Sequence, residues 1–281
     1  MTGTWMRGLM ATCVAIGLAG CGTTYELPKV NDEASTMAAA MFTQARATPP
    51  GATVTPEAAA ARFRRVVARV KPAAVAFCRS EAGDRPAKVC DLPVVIDPSV
   101  GEANAYQTRD RQGAPFIGIT VPMLLQVGND DELAFMIAHE FGHHIADHIE
   151  KGERQALAGA LILGALTATS QAYANQANPG RYTGADQADL QRSIGLGAAV
   201  GQRAYSQTYE LESDVIAAHI ARMSGYDAVN GARFFARPAG ARTQAGTLSF
   251  WGTHPPNSQR LATVIAATRA ADAGQGLNRA E

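Results

Sequence analysis

The sequence predicts a mainly α-helical, α+β fold with one small sheet. The 281-residue chain is 47 % hydrophobic but only 6 % aromatic and is rich in alanine, a composition that favours a core of aliphatic helices. Between residues 89 and 121 the pattern changes to short strands separated by turn residues. Basic and acidic residues number 25 each, which argues against a nucleic-acid-binding protein. No run of about 20 apolar residues is present, which excludes a multi-span membrane protein.

The N-terminal residues predict export and lipid attachment. Residues 1–20 combine Arg7 with a short apolar segment, as in a signal peptide. The segment ends Leu18-Ala19-Gly20-Cys21, which resembles the lipobox of bacterial lipoproteins, a class in which Cys21 would become the acylated N-terminus. Gly22 at the next position favours the outer membrane of a Gram-negative bacterium, so we expect a lipid-anchored periplasmic protein. The alternative is an ordinary cleaved signal peptide in which Cys21 has no role.

The two cysteines that remain after the leader and Cys21 are Cys78 and Cys90. An even number of cysteines in an exported protein predicts a disulfide between them, and the alternative is two free thiols.

The mature chain divides into a tether and one domain. Residues 21–55, rich in Thr, Ala, Asn, Asp and Pro, predict a flexible lipid-anchored tether with at most one short helix, over residues 34–45. Residues 56–281 predict the domain. Its first helix is expected over residues 56–70, and its strands over residues 92–96, 103–108 and 115–121.

Helices are expected to dominate the rest of the domain. Asn129 and the three acidic residues after it predict the start of a helix that continues over residues 133–150. The apolar residues 155–168 predict a buried helix or one side of a membrane-facing lid, and residues 171–188 predict a loop. Helical structure is expected again from about residue 189 to Ser224-Gly225.

One pentapeptide, His139-Glu140-Phe141-Gly142-His143, has the HExxH spacing of a metal site. Residues four apart lie roughly 40° apart around a helix, so both imidazoles can reach one metal ion. Glu140 lies on the adjoining face, where its carboxylate can act as a general base toward water. Bound Zn²⁺ would lower the pKa of that water toward about 7.

A catalytic zinc site needs a third protein ligand. The metzincin arrangement requires Gly at 146 and His at 149, and the chain has Ala146 and Ile149 instead. A later helix supplies Glu210-Leu211-Glu212-Ser213-Asp214. Glu212 points roughly 200° away from Glu210, whereas Asp214 shares a face with Glu210 and can orient a ligand imidazole. This spacing selects Glu210 as the third ligand.

Five ordered pieces resemble the zinc metallopeptidase family that contains HtpX and the CAAX prenyl protease, and within it the exported, BepA-like lipoprotein branch. They are Asn104-Ala105-Tyr106, the helix of residues 131–148, Glu210 to Asp214 with the Ser224-Gly225-Tyr226-Asp227 that follows, Thr253-His254-Pro255-Pro256, and Arg260. The resemblance implies a zincin-type, gluzincin core in which His139, His143 and Glu210 bind one Zn²⁺ per chain and Glu140 is the general base. It also implies a lid region over about residues 151–208.

His254, by the same resemblance, approaches the metal site, either as an oxyanion stabiliser or as a self-inhibiting ligand. We expect Arg260 to clamp a carboxylate near the site, with a surface salt bridge as the alternative. The strand of residues 115–121 is expected at the sheet edge, where Gly118, Ile119 and Thr120 would pair with extended substrate. The alternative is an ordinary core strand.

The expected function is a zinc-dependent metalloendopeptidase of the cell envelope that acts on misfolded or misassembled proteins. The alternative is a non-proteolytic or self-inhibited lipoprotein that serves as a chaperone or assembly factor and contacts outer-membrane assembly components.

Overall fold

The computed structural model describes residues 22–47, 54–82, 89–177, 184–203, 206–237 and 249–280. The predicted signal peptide and Cys21 lie outside these residues. As predicted, the described chain is mostly helical with one small sheet. In chain order its elements are α1 (Asp32–Ala47), α2 (Pro56–Ala82), β1 (Val94–Asp97), β2 (Ala105–Arg109), β3 (Pro115–Thr120), α3 (Val121–Gln126), α4 (Asp130–Ile145), α5 (His148–Ala177), α6 (Gly184–Arg203), α7 (Ser206–Met223), α8 (Ala228–Ala232), a 3-10 helix (Arg233–Ala236), α9 (Phe250–Thr253) and α10 (Ser258–Asp272).

The chain forms two compact units. The larger takes its described residues from 24–146 and 210–279, and the smaller comprises residues 22–23, the described residues of 147–209, and residue 280. The large unit contains the sheet, the HExxH helix and one continuous apolar core. The small unit contains the α5–α6 hairpin.

The sheet has the strand order β1-β3-β2, with β1 parallel and β2 antiparallel to β3. One small sheet was predicted, but the expectation that residues 115–121 form an edge strand is wrong. The backbones of Gly118, Ile119 and Thr120 are paired with β1 on one side, and those of Gly118 and Ile119 with β2 on the other. Extended substrate therefore cannot add to β3, because its ladder positions are already taken. β3 is the ordinary core strand of the alternative interpretation.

Helix α4 begins as the sequence predicts. The side chain of Asn129 accepts a hydrogen bond of 2.9 Å from the backbone N–H of Glu132, which caps the first turn. The helix ends earlier than expected, at Ile145, because Asp147 adopts a left-handed conformation with φ 57°. The predicted helix over residues 133–150 is thus two helices, and the break separates the HExxH segment from α5.

Residues 21–55 were expected to form a flexible tether, yet their described part packs onto the large unit. Tyr25 is fully buried, and α1 buries Ala34, Ala38 and Ala45. The buried carboxylate of Glu212 accepts hydrogen bonds from the backbone N–H groups of Thr24 and Tyr25, at 2.5 and 2.7 Å. Residues 24–47 are therefore part of the folded large unit.

Helix α2 continues to Ala82, twelve residues beyond its predicted end. Pro72 lies inside it, but Ala74, Phe77 and Cys78 continue the buried face of the helix past the proline. Packing of that face outweighs the loss of one backbone hydrogen bond. A disulfide joins Cys78 to Cys90, which precedes β1.

Candidate metal centre

Four potential ligand residues converge in the large unit. His139 and His143 come from α4, Glu210 comes from α7, and His254 ends α9; one ligand atom of each lies within 4.8 Å of all the others. Nε2 of His139 is 3.0 Å from Nε2 of His143 and 3.3 Å from Oε2 of Glu210. Nε2 of His143 is 3.3 Å from Oε1 of Glu210. The ligand atoms of His139, His143 and Glu210, the three ligands predicted from the sequence, therefore surround one point.

These separations fit one small metal ion. Ligand atoms at the corners of a tetrahedron around zinc, each about 2.0–2.1 Å from it, lie roughly 3.3 Å from one another. His139, His143 and Glu210 have this spacing, and two imidazoles with one carboxylate are donors that suit zinc. The residues present thus fit the metal that the sequence implies.

Asp214 and Arg260 hold two of the ligand side chains, His139 and Glu210, in position. Oδ1 of Asp214 lies 3.0 Å from Nδ1 of His139, on the opposite side of the ring from Nε2. Arg260 donates two hydrogen bonds of 2.7 Å to the Asp214 carboxylate, and its Nη1 lies 3.2 Å from Oε2 of Glu210. Because Asp214 attracts a proton to Nδ1 of His139, the Nε2 lone pair is left facing the other ligands. Arg260 is the buried clamp, and the surface salt bridge is excluded.

The electrostatics of this cluster are set by burial and by its own charges. Burial lowers the pKa of His139, but hydrogen bonding to Asp214 and Glu210 outweighs that effect and raises the pKa to about 9. Burial raises the pKa of Glu210, but the nearby His254 and Arg260 hold it well below its usual range. Glu210 is therefore a carboxylate over the physiological pH range, as a metal ligand must be.

Glu140 is 1 % exposed and lies beside the ligands. Among the described residues, none donates a hydrogen bond to its Oε1. Nε2 of His254 is the histidine atom that approaches this oxygen, at 3.5 Å. A buried carboxylate oxygen without a donor is costly unless a ligand or water occupies the adjoining space, so the pattern is typical of a general base.

Gly142, the fourth residue of the motif, allows α4 and α7 to approach closely. A Cβ at this position would lie 2.9 Å from both Cα and the carbonyl oxygen of Ser213. Glycine on one helix and a small residue on the other therefore bring the His pair within reach of Glu210. Glu212, the rejected candidate ligand, binds the N-terminal backbone instead.

Aromatic side chains that the sequence did not single out form one wall of the centre. The ring of Phe235 lies 5.2 Å from the ring of His139, and the guanidinium of Arg260 lies 4.4 Å above it. The ring of Phe250 lies 4.7 Å from that of His254. Phe235 and Phe250 are not part of a local motif, so only the tertiary fold identifies them.

An HExxH helix joined by a carboxylate from a later helix defines the chain as a candidate metallopeptidase. The model of Peptidase family M48 matches residues 60–268, about three quarters of the sequence. The chain belongs to Peptidase family M48. Membership supports a metallopeptidase function, the hydrolysis of peptide bonds, with protein or peptide substrates. No curated protein matches the chain.

Proposed function

We propose that this M48 peptidase is a zinc-dependent endopeptidase of the bacterial cell envelope, acting on misfolded or misassembled proteins. The observation that carries the proposal is the convergence of His139, His143 and Glu210 beside the unbonded carboxylate oxygen of Glu140. The lipobox-like sequence ending at Cys21 supports a periplasmic location with a lipid anchor in the outer membrane.

The chemistry assigned to each residue follows from its position. When bound, zinc supplies Lewis-acid chemistry, polarising a carbonyl oxygen and lowering the pKa of a water molecule to about 7. Glu140 can accept the proton of the attacking water at Oε1 and return it to the leaving amine. Asp214 holds the His139 ring in place, and Arg260 holds Asp214 and Glu210.

Replacement of Glu140 tests the general-base role. Glu140→Gln keeps the shape of the side chain but removes the proton acceptor, so we expect about 10²–10⁴-fold slower cleavage of an unfolded protein such as casein. Zinc content should remain one ion per chain. Glu57→Gln on the exposed face of α2 is the control. Cleavage at the wild-type rate by the Glu140 variant would contradict the mechanism.

A second candidate function, a self-inhibited or non-proteolytic assembly factor, is favoured by the position of His254. Its Nδ1 lies 2.8 Å from Oε2 of Glu210 and 3.3 Å from Nε2 of His139, within the ligand cluster. An imidazole there can fill the coordination position that a substrate carbonyl needs.

Replacement of His254 separates the two candidates. Faster cleavage by His254→Ala than by the wild type supports a peptidase restrained by this ring. Slower cleavage supports stabilisation of the oxyanion by His254. If the wild type and His254→Ala are both inactive while retaining zinc, the non-proteolytic function is favoured.

A further inference from the structure

The α5–α6 hairpin displays large apolar side chains on its outer surface. Leu157, Leu161 and Leu166 of α5 are 61–63 % exposed, and Leu196 and Val200 of α6 are 61 and 55 % exposed. Of the two interpretations of residues 155–168 from the sequence, the buried helix is wrong, and one side of a membrane-facing lid stays a prediction. Only 6 % of the most apolar stretch of α5 is buried. Several large apolar side chains at this exposure on one hairpin indicate an interaction site.

The inner surface of the hairpin is already occupied by close packing between its two helices. A Cβ at Gly159 would overlap the carbonyl oxygen of Gly197, and a Cβ at Gly201 would overlap that of Gln155. Glycines allow the backbones to touch, as in helix pairs within membranes, and direct the leucines outward. Packing between α5 and α6 therefore does not use the exposed apolar side chains.

The composition of the hairpin suits lipid. Among the described helices, α5 is the one long and apolar enough to cross a membrane. It has no charged residue from 155 to 177, and its strongly apolar part, residues 156–168, would extend about 20 Å. Although α5 as a whole is long enough to cross a membrane, its strongly apolar part is shorter than the roughly 30 Å of a bilayer core, so insertion into the interface or one leaflet fits it better.

We propose that the α5–α6 hairpin is a membrane-binding element that inserts its exposed leucines into the surface of a lipid bilayer. A bilayer is favoured over a protein partner because the predicted acyl chains on Cys21 would place the chain at a membrane. The apolar side chains also surround the outside of α5 and do not form a single stripe. The hairpin is thus a second membrane contact, separate from the anchor and from peptidase activity.

Flotation with vesicles tests this proposal without the anchor. The mature chain carrying Cys21→Ser, which cannot be acylated, is mixed with phosphatidylethanolamine–phosphatidylglycerol vesicles. We expect it to float with them. Replacing Leu157, Leu161 and Leu196 with glutamine should reduce the bound fraction about tenfold or more, because less apolar area is transferred to lipid. The matched control is Val89→Gln with Met223→Gln, two changes at exposed apolar positions outside the hairpin.

Two outcomes would overturn the proposal: no flotation of the Cys21→Ser chain, or equal flotation of the leucine variant. Vesicle-free self-association that the leucine variant abolishes, without flotation, would assign the surface to a second copy of the chain and would also overturn it. A melting curve by circular dichroism verifies that each variant is folded.

A tryptophan probe tests insertion without removing apolar surface. Leu161→Trp places an indole on the hairpin, while the native Trp251 is buried in the large unit and provides the baseline. Brominated lipids should quench the new fluorescence but leave the emission of a Met223→Trp control unchanged. Equal quenching in both variants, or in neither, would refute insertion of the hairpin.

Discussion

Alanine at Gly142 is expected to separate the two helices that hold the metal ligands. Its Cβ would lie 2.9 Å from backbone atoms of Ser213, which cannot rotate away as a side chain could. Since ordinary carbon contacts begin near 3.5 Å, α4 and α7 must move apart by roughly 0.5 Å. Overpacking of this kind costs about 1–3 kcal/mol. For a chain of this size that corresponds to a fall in Tm of roughly 2–5 °C.

The same displacement should weaken metal binding. Ligand positions tolerate only about ±0.2 Å, so moving Glu210 relative to the histidine pair by twice that distance or more should lower the affinity for zinc. Thermal unfolding and zinc competition with a chromophoric chelator measure the two effects separately.

Gly152→Ala in α5 is the matched control. A Cβ there meets nothing within 4 Å, and alanine in a helix is more favourable than glycine by about 0.5–1 kcal/mol. We therefore expect Tm to stay constant or rise slightly, with unchanged zinc affinity. If Gly142→Ala behaves like Gly152→Ala in both assays, close approach of α4 and α7 does not position the ligands.

Three further predictions concern the support of the site and of the fold. Asp214→Asn should lower zinc affinity about 10–100-fold in chelator competition, because the carboxylate that orients His139 is lost; unchanged affinity would exclude that role. Zinc affinity should rise with pH about tenfold per unit up to about pH 9, because the pKa of His139 is raised to about 9 and its proton competes with the metal below that value; a flat profile would contradict this. Reduction of the Cys78–Cys90 disulfide should destabilise the protein by about 3 kcal/mol, the loop-closure term for a separation of 12 residues, and an unchanged unfolding midpoint in denaturant would refute it.

The ligand set could be read from the sequence because each part of it is local. His139 and His143 share a turn of one helix, and Glu210 and Asp214 share a turn of another, so helical periodicity predicts their directions. The convergence of the two helices is nonlocal, and it depends on Gly142 and Ser213 meeting face to face.

The position of β3 within the sheet could not be predicted in the same way. Its composition is that of any partly buried strand, and the strand order is decided by pairing with residues far along the chain. The end of α2 was misplaced for a related reason. Pro72 is a local helix-breaking residue, whereas burial of Phe77 is a tertiary effect that outweighs it.

If Cys21 carries the proposed acyl chains, the attachment of the N-terminal segment through Glu212 would restrict where the protein can work. A free segment from residue 21 to residue 55 could stretch to roughly 120 Å, whereas the three Cα–Cα steps from Cys21 to the fixed backbone of Thr24 reach about 10 Å. With acyl chains on Cys21, the domain would stay close to the membrane and could reach only substrates near the lipid surface. Its substrates would have to come to the membrane, which favours proteins that are delivered there over those that diffuse freely between the membranes.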